Sequence, residues 1–124
     1  MALHGKATLS KIQDGIDNGT PFHAGNVRGL VGAADGFWLT GRMSEASVRK
    51  PSVKAGEEWA SEYRSAARDN AIAYTILSYA TPIAWKTIDG GWHIPDLQYS
   101  ITTSAHQGVV RVATKNPGFY PVGR

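Results

Sequence analysis

Four histidines, His4, His23, His93 and His106, are the side chains best suited to proton transfer in this chain. None stands at the i, i+4 or HExxH spacing that places two ligands on one helix face, so the pattern implies no metal site. His93 falls on the polar face of a predicted hairpin, and His106 in the first turn of a predicted helix just beyond the next strand, so the two imidazoles are candidates to converge. Two imidazoles, or one with a carboxylate, can move the protons that RNA cleavage requires. Glu57, Glu58 or Asp96 would supply the carboxylate and Arg111 the cation facing the transition state. The plainer reading is favoured: His106 caps or packs, and His93 is a half-exposed strand residue.

The hydroxyls of Ser100, Thr102, Thr103 and Ser104 beside His106 suggest a Ser–His nucleophile. Hydroxyls where a strand meets a helix are equally expected as caps, and no GxSxG elbow accompanies them. A helix opening at Ser104 would offer free backbone N–H groups to an anion, with Arg111 one turn further along. Gly25, Gly29, Gly32 and Gly36 match neither a phosphate-binding loop nor a dinucleotide fingerprint, so no nucleotide cofactor is expected.

The cations form two groups. Arg49, Lys50 and Lys54 lie in a polar, proline-broken run that reads as a surface loop over residues 42–56, and Arg64 with Arg68 makes an i, i+4 ridge on the helix that follows. Arg111 and Lys115 repeat that spacing near the C-terminus. Such ridges suit an acidic protein partner, or nucleic acid if exposed aromatics stack bases. The net charge of +3, from 13 basic and 10 acidic residues, is modest for a phosphate-binding specialist.

Positioning these groups requires a scaffold, and its elements can be read from periodicity. Leu9, Ile12 and Ile16 share one helical face, with Thr8 or Ser10 as N-cap and Gly19 at the end. Closely spaced glycines from Gly25 to Gly41 suit short extended pieces joined by tight turns, with Phe37, Trp38 and Leu39 as the main apolar content there. Helical period returns over Glu57–Asp69 with Trp59, Tyr63 and Ala66 or Ala67 inward. Ala71–Tyr79 is β-branched and aromatic on both alternating faces, as a central strand requires.

A two-residue Asp89–Gly90 turn would set Thr87 opposite Trp92 and Trp85 opposite Ile94, with Ile83, Trp85, Trp92 and Ile94 on one face. A further strand over Leu97–Thr102 and a helix opening with a Ser104–Gln107 capping box complete the pattern. The tail 116–124 is too rich in breakers for regular structure. The expected fold is α+β, a single domain over residues 1–124 with three or four mainly antiparallel strands against two or three short helices.

The absence of cysteine excludes disulfides, thiolate nucleophiles and zinc–thiolate or iron–sulfur sites. Neither a signal peptide nor a continuous apolar membrane span is recognisable, so no membrane partner is expected.

The strings SYATPIAW, WHIPD and YSITTSAHQ, between Ser78 and Gln107, resemble a family of small uncharacterised proteins of tailed phages infecting mycobacteria and other actinobacteria, with relatives in the host genomes. A looser likeness spans Asn18–Gly29, whereas Arg42–Gly56 looks particular to this chain. The resemblance implies a non-virion accessory protein acting in the host cytoplasm, with no cofactor and no activity to transfer. The expected function is therefore binding, first to a host protein, through Arg49, Lys50, Lys54, Arg64, Arg68 and Arg111. A nucleic-acid enzyme using His93 and His106, and a non-enzymatic nucleic-acid binder, are the alternatives.

Overall fold

Among the described residues, seven strands and three helices arise where the periodicities change. The fold is taken from a computed structural model that describes residues 6–33, 43, 47–48, 54–95, 97–98 and 101–114. In order they are α1 (Lys6–Asn18), β1 (Phe22–Ala24), β2 (Val27–Val31), β3 (Ser47–Val48), α2 (Gly56–Arg68), β4 (Ile72–Ser78), β5 (Thr81–Thr87), β6 (Trp92–His93), β7 (Leu97–Gln98) and α3 (Ile101–Ala113). Five strands form an antiparallel sheet in the order β1-β2-β4-β5-β6, and β3 pairs antiparallel with β7 in a second, two-stranded sheet. The α+β class holds, with more strands than expected and β4 at the centre of the main sheet.

The sheet separates two cores. Tyr74, Ile76, Ile83, Ala84 and Ile94 pack with Ile12 of α1 and Val110 and Ala113 of α3. On the other side Ile72 and Trp85 meet Trp59, Ala60, Tyr63 and Ala67 of α2, joined by Met43 and Leu97. Side chains such as Ile76, Ile83 and Trp85 are fully buried, each contributing roughly 1.5–3 kcal/mol relative to exposure. Two register shifts between β4 and β5, beside Ala73 and Ile83, break strict alternation. They turn Ile72 toward α2 while Tyr74 and Ile76 face α1 and α3, and they let Ile83 and Ala84 join one core.

Tyr63 anchors α2 to the sheet. Thr75 Oγ1 donates to the Gly32 carbonyl at 2.8 Å, so the 2.9 Å contact with Tyr63 Oη has the tyrosine as donor. Gly29 is required for a different reason: any Cβ there would drive into the Phe22 ring and the Tyr74 hydroxyl.

Several expectations are corrected. Trp85 pairs with His93 and Lys86 with Trp92, one residue away from the predicted register. Thr87 N–H donates to Gly91 O and Gly90 N–H to Thr87 O, so Ile88, Asp89 and Gly90 form a three-residue loop closed by Gly90 at φ +94. Trp85 and Trp92 consequently occupy opposite sides of the sheet, Trp92 packing with the α1/α3 core. Among the described residues the strand after Pro95 is Leu97–Gln98, and α3 begins at Ile101, so Ser104 lies inside the helix and is not its cap. Thr8 and Ser10 likewise fall within α1. The predicted loop 42–56 contains β3 and the buried Met43; Arg49 and Lys50, the Phe37–Leu39 segment and the tail 116–124 lie outside the described residues.

Candidate functional site

Charged side chains converge where α2 runs beside the β5–β6 hairpin. Helical period explains the α2 wall: Trp59, Ala60, Tyr63 and Ala67 turn into the core while Glu57, Glu58, Ser61 and Ser65 remain exposed. Glu62 sits at the boundary of the two stripes and is half-buried. Its Oε2 pairs with Lys54 Nζ, and that ammonium lies 4.0 Å from the centroid of the Trp59 ring. Its Oε1 stands 3.6 Å from His93 Nδ1. One carboxylate thus bridges two basic groups, each backed by an indole, because His93 stacks on Trp85 with centroids 6.0 Å apart and planes at 13°.

The polar chain continues past the imidazole. His93 Nε2 is 3.5 Å from Thr87 Oγ1, which donates to Asp89 Oδ1 at 2.5 Å, and Gly91 N–H donates to the same oxygen at 3.0 Å. The Thr87 hydroxyl, then the Gly91 N–H, hold the Asp89 carboxyl below the usual carboxylate range. The order carboxylate, imidazole, hydroxyl is reminiscent of a nucleophile relay, but the two contacts to the ring exceed ordinary hydrogen-bond lengths. The hydroxyl proton points to Asp89, and the arrangement functions as a brace for the hairpin loop.

Outside this brace runs an open groove of about 660 Å³, whose lining includes Lys54, Glu58, Glu62, Ala66, Asp69 and Ala71. Ile88 N–H donates to Ala71 O at 2.9 Å, which ties the backbone of the exposed Ile88 to a residue of the groove lining. Glu58 also accepts the Ala55 N–H at 3.0 Å, fixing the start of α2.

The residues expected to act together are separated. His93 faces α2, whereas His106 projects from α3 on the opposite side of the sheet, 1% exposed, with Nδ1 2.6 Å from Ser78 Oγ. The imidazoles therefore do not converge into an acid–base pair. Arg111 is also corrected: its guanidinium is buried and donates to Pro95 O at 3.4 Å beside the 2.8 Å bond from Gln107 Nε2, so it forms no surface ridge. With α3 starting at Ile101, the N–H groups near Gln107 lie in the helix interior and offer no anion site. Arg64 donates to Glu57 at 2.6 Å, Lys54 is neutralised by Glu62, and Arg68 is exposed in the last turn of α2. Among the described residues no group of three or more histidines and carboxylates is placed to hold a metal ion, and no helix is long and apolar enough to cross a membrane.

Sequence pattern places Thr87 and Asp89 at a hairpin turn without a site role, and gives Glu62 none. The Asp–Gly pair marks a turn, but Glu62 meets Lys54 and His93 only through tertiary packing, so no local spacing betrays it.

Fold and site define an α+β domain of three layers, helix, sheet and helix pair, with a charged groove on the single-helix side. The chain belongs to a family of unknown function, DUF8033, whose model matches residues 33–116. No curated protein and no solved structure matches it. The matched stretch contains the lining residues of the groove, from Lys54 to Ala71, together with the β5–β6 hairpin and α3.

Proposed function

We propose that the protein is a binding module that recognises another protein through the groove that runs along α2. The observation that carries this reading is the groove itself, an open concavity lined by charged side chains, of which Lys54 and Glu62 are already paired with each other. Side chains ordered before association lower its entropic cost, which favours recognition by contact. Against an enzymatic reading stands the separation of His93 from His106 by the sheet. Nucleic-acid binding gains little from Lys54 and Arg64, since both cations are tied to carboxylates. The resemblance to actinobacteriophage proteins extends the proposal: the module acts as a non-virion accessory factor in the host cytoplasm, and its partner is a host protein.

The test is affinity capture from actinobacterial lysate with and without nuclease, comparing the native chain with Glu58→Lys/Asp69→Lys and, separately, with Arg49→Glu/Lys50→Glu. A stoichiometric protein that survives nuclease and is lost with the groove variant supports the proposal. Loss only with the Arg49/Lys50 variant moves the interface to the basic segment, and recovery of nucleic acid alone overturns the protein-partner reading.

A further inference from the structure

The chain as a whole is basic, at +3, yet the groove is not. Its charged lining is Glu58, Glu62 and Asp69 against Lys54 alone, and the Lys54 charge is already met by Glu62. Asp89, on the hairpin beside Ile88, remains a carboxylate held by Thr87 and Gly91. Of the two arginines of α2, Arg64 donates to Glu57 on the neighbouring stripe, and the exposed Arg68 precedes Asp69 but is not part of the lining. The groove lining is thus electronegative on a protein of opposite net charge; it includes the small apolar Ala66 and Ala71, and Ile88, 71% exposed, is hydrogen-bonded through its backbone to Ala71.

Resting on the binding reading above, we propose that the occupant of the groove is a cationic peptide segment of a partner protein, carrying arginine or lysine for Glu58 and Asp69 and an apolar residue for Ile88. Charge complementarity selects this occupant. A nucleic-acid backbone is repelled by the same carboxylates, and an acidic segment would find in the lining one ammonium, already paired with Glu62, with Arg68 outside it. Electrostatic attraction of this kind acts across partly solvated contacts and weakens with added salt. The positive charge of the rest of the chain opposes the approach of a basic partner, so recognition depends on local contact more than on long-range steering.

The experiment is fluorescence anisotropy with two labelled hexapeptides, one alternating arginine and leucine and one alternating glutamate and leucine, titrated with the native chain, with Glu58→Gln/Asp69→Asn, and with Asp14→Asn/Asp17→Asn on the distant helix α1. The arginine peptide is expected to bind the native chain. The groove variant should weaken it about fivefold, two solvated ion pairs at their usual strength, and the α1 variant should leave it within about twofold, since pairs beyond a Debye length are screened. Equal weakening by both variants reduces the effect to net charge and overturns the proposal. Binding of the glutamate peptide alone, sensitive to the groove variant, overturns the cationic occupant and leaves the groove reading standing. Failure of both peptides overturns this occupant too, while the capture comparison reads the groove independently. A mass by sedimentation that rises with protein concentration and falls on adding the arginine peptide makes the occupant a second copy of this basic chain, and that result also overturns the partner segment.

Discussion

The imidazole of His93 lies nearly parallel to the indole of Trp85, 6.0 Å between centroids, and so covers one flank of a side chain that is otherwise sealed by Trp59 and Tyr63. Trp85 has no solvent exposure, which makes the histidine a lid on the α2 core as well as the second base at Glu62.

That geometry separates His93 energetically from His106. His93→Ala should cost about 1 kcal/mol, the worth of a stacked ring at the edge of a core, and should shift tryptophan emission to the red. His106→Ala removes a buried hydrogen bond from Ser78 and should cost about 1–3 kcal/mol. Because the sheet lies between them, the double variant should be additive within about 0.5 kcal/mol by urea denaturation. A coupling clearly above that value contradicts the separation.

Tyr74 predicts an alkaline weakness. Burial pushes its phenol up to about 12 from 10.0. The unfolded chain ionises first, so the contribution of the neutral phenol is intact below pH 10.0 and is lost as pH climbs toward 12. Tyr74→Phe should flatten this alkaline slope in urea melts at stepped pH. It should also cost about 1 kcal/mol at neutral pH, through loss of the 2.6 Å bond to Thr20 O.

Asp89 predicts the opposite limb. Its carboxyl is lowered in the folded state, first by Thr87 and then by Gly91. The stabilisation is present above the ordinary carboxylate value of 3.8 and is lost as pH falls through the lowered one. Asp89→Asn should flatten stability against pH in acid, measured by thermal melts in a graded series of acidic buffers; an unchanged slope removes the loop brace as its cause.

Gly29→Ala should destabilise by roughly 1–3 kcal/mol, because the added methyl meets the Phe22 ring and the Tyr74 hydroxyl and both must shift. Gly90→Ala should cost about 1 kcal/mol for a different reason, the positive φ that closes the hairpin loop. Urea midpoints read both, and a neutral Gly29→Ala would show that the β1–β2 hairpin can move away from β4.

Elements were legible in the chain where one rule dominated. Trp59, Tyr63 and Ala67 marked α2 by period, Ile72 to Ser78 marked the central strand by composition, and the early glycines marked the tight turn that joins β1 to β2. Register was less legible, because Asp89–Gly90 fits either a two- or a three-residue loop and one residue exchanges the faces of Trp92 and His93. Ser104 and Gln107 imitate a capping box, but α3 already begins at Ile101 and the Gln107 amide donates to Pro95 O. The groove was illegible for a similar reason: its charges are gathered from residues before, within and after α2, and the basic total conceals their acidic sum.

The pairing of β2 with β4 joins residues outside the family-matched stretch to its central strand. Val27 to Val31 run antiparallel along Tyr74 to Ser78 and occupy the hydrogen-bonding groups on that side of β4. The N-terminal hairpin is therefore an edge guard. Without it the seven-residue β4 would present an open template for another chain, whereas with it the border on that side of the sheet is a three-residue strand that follows a proline.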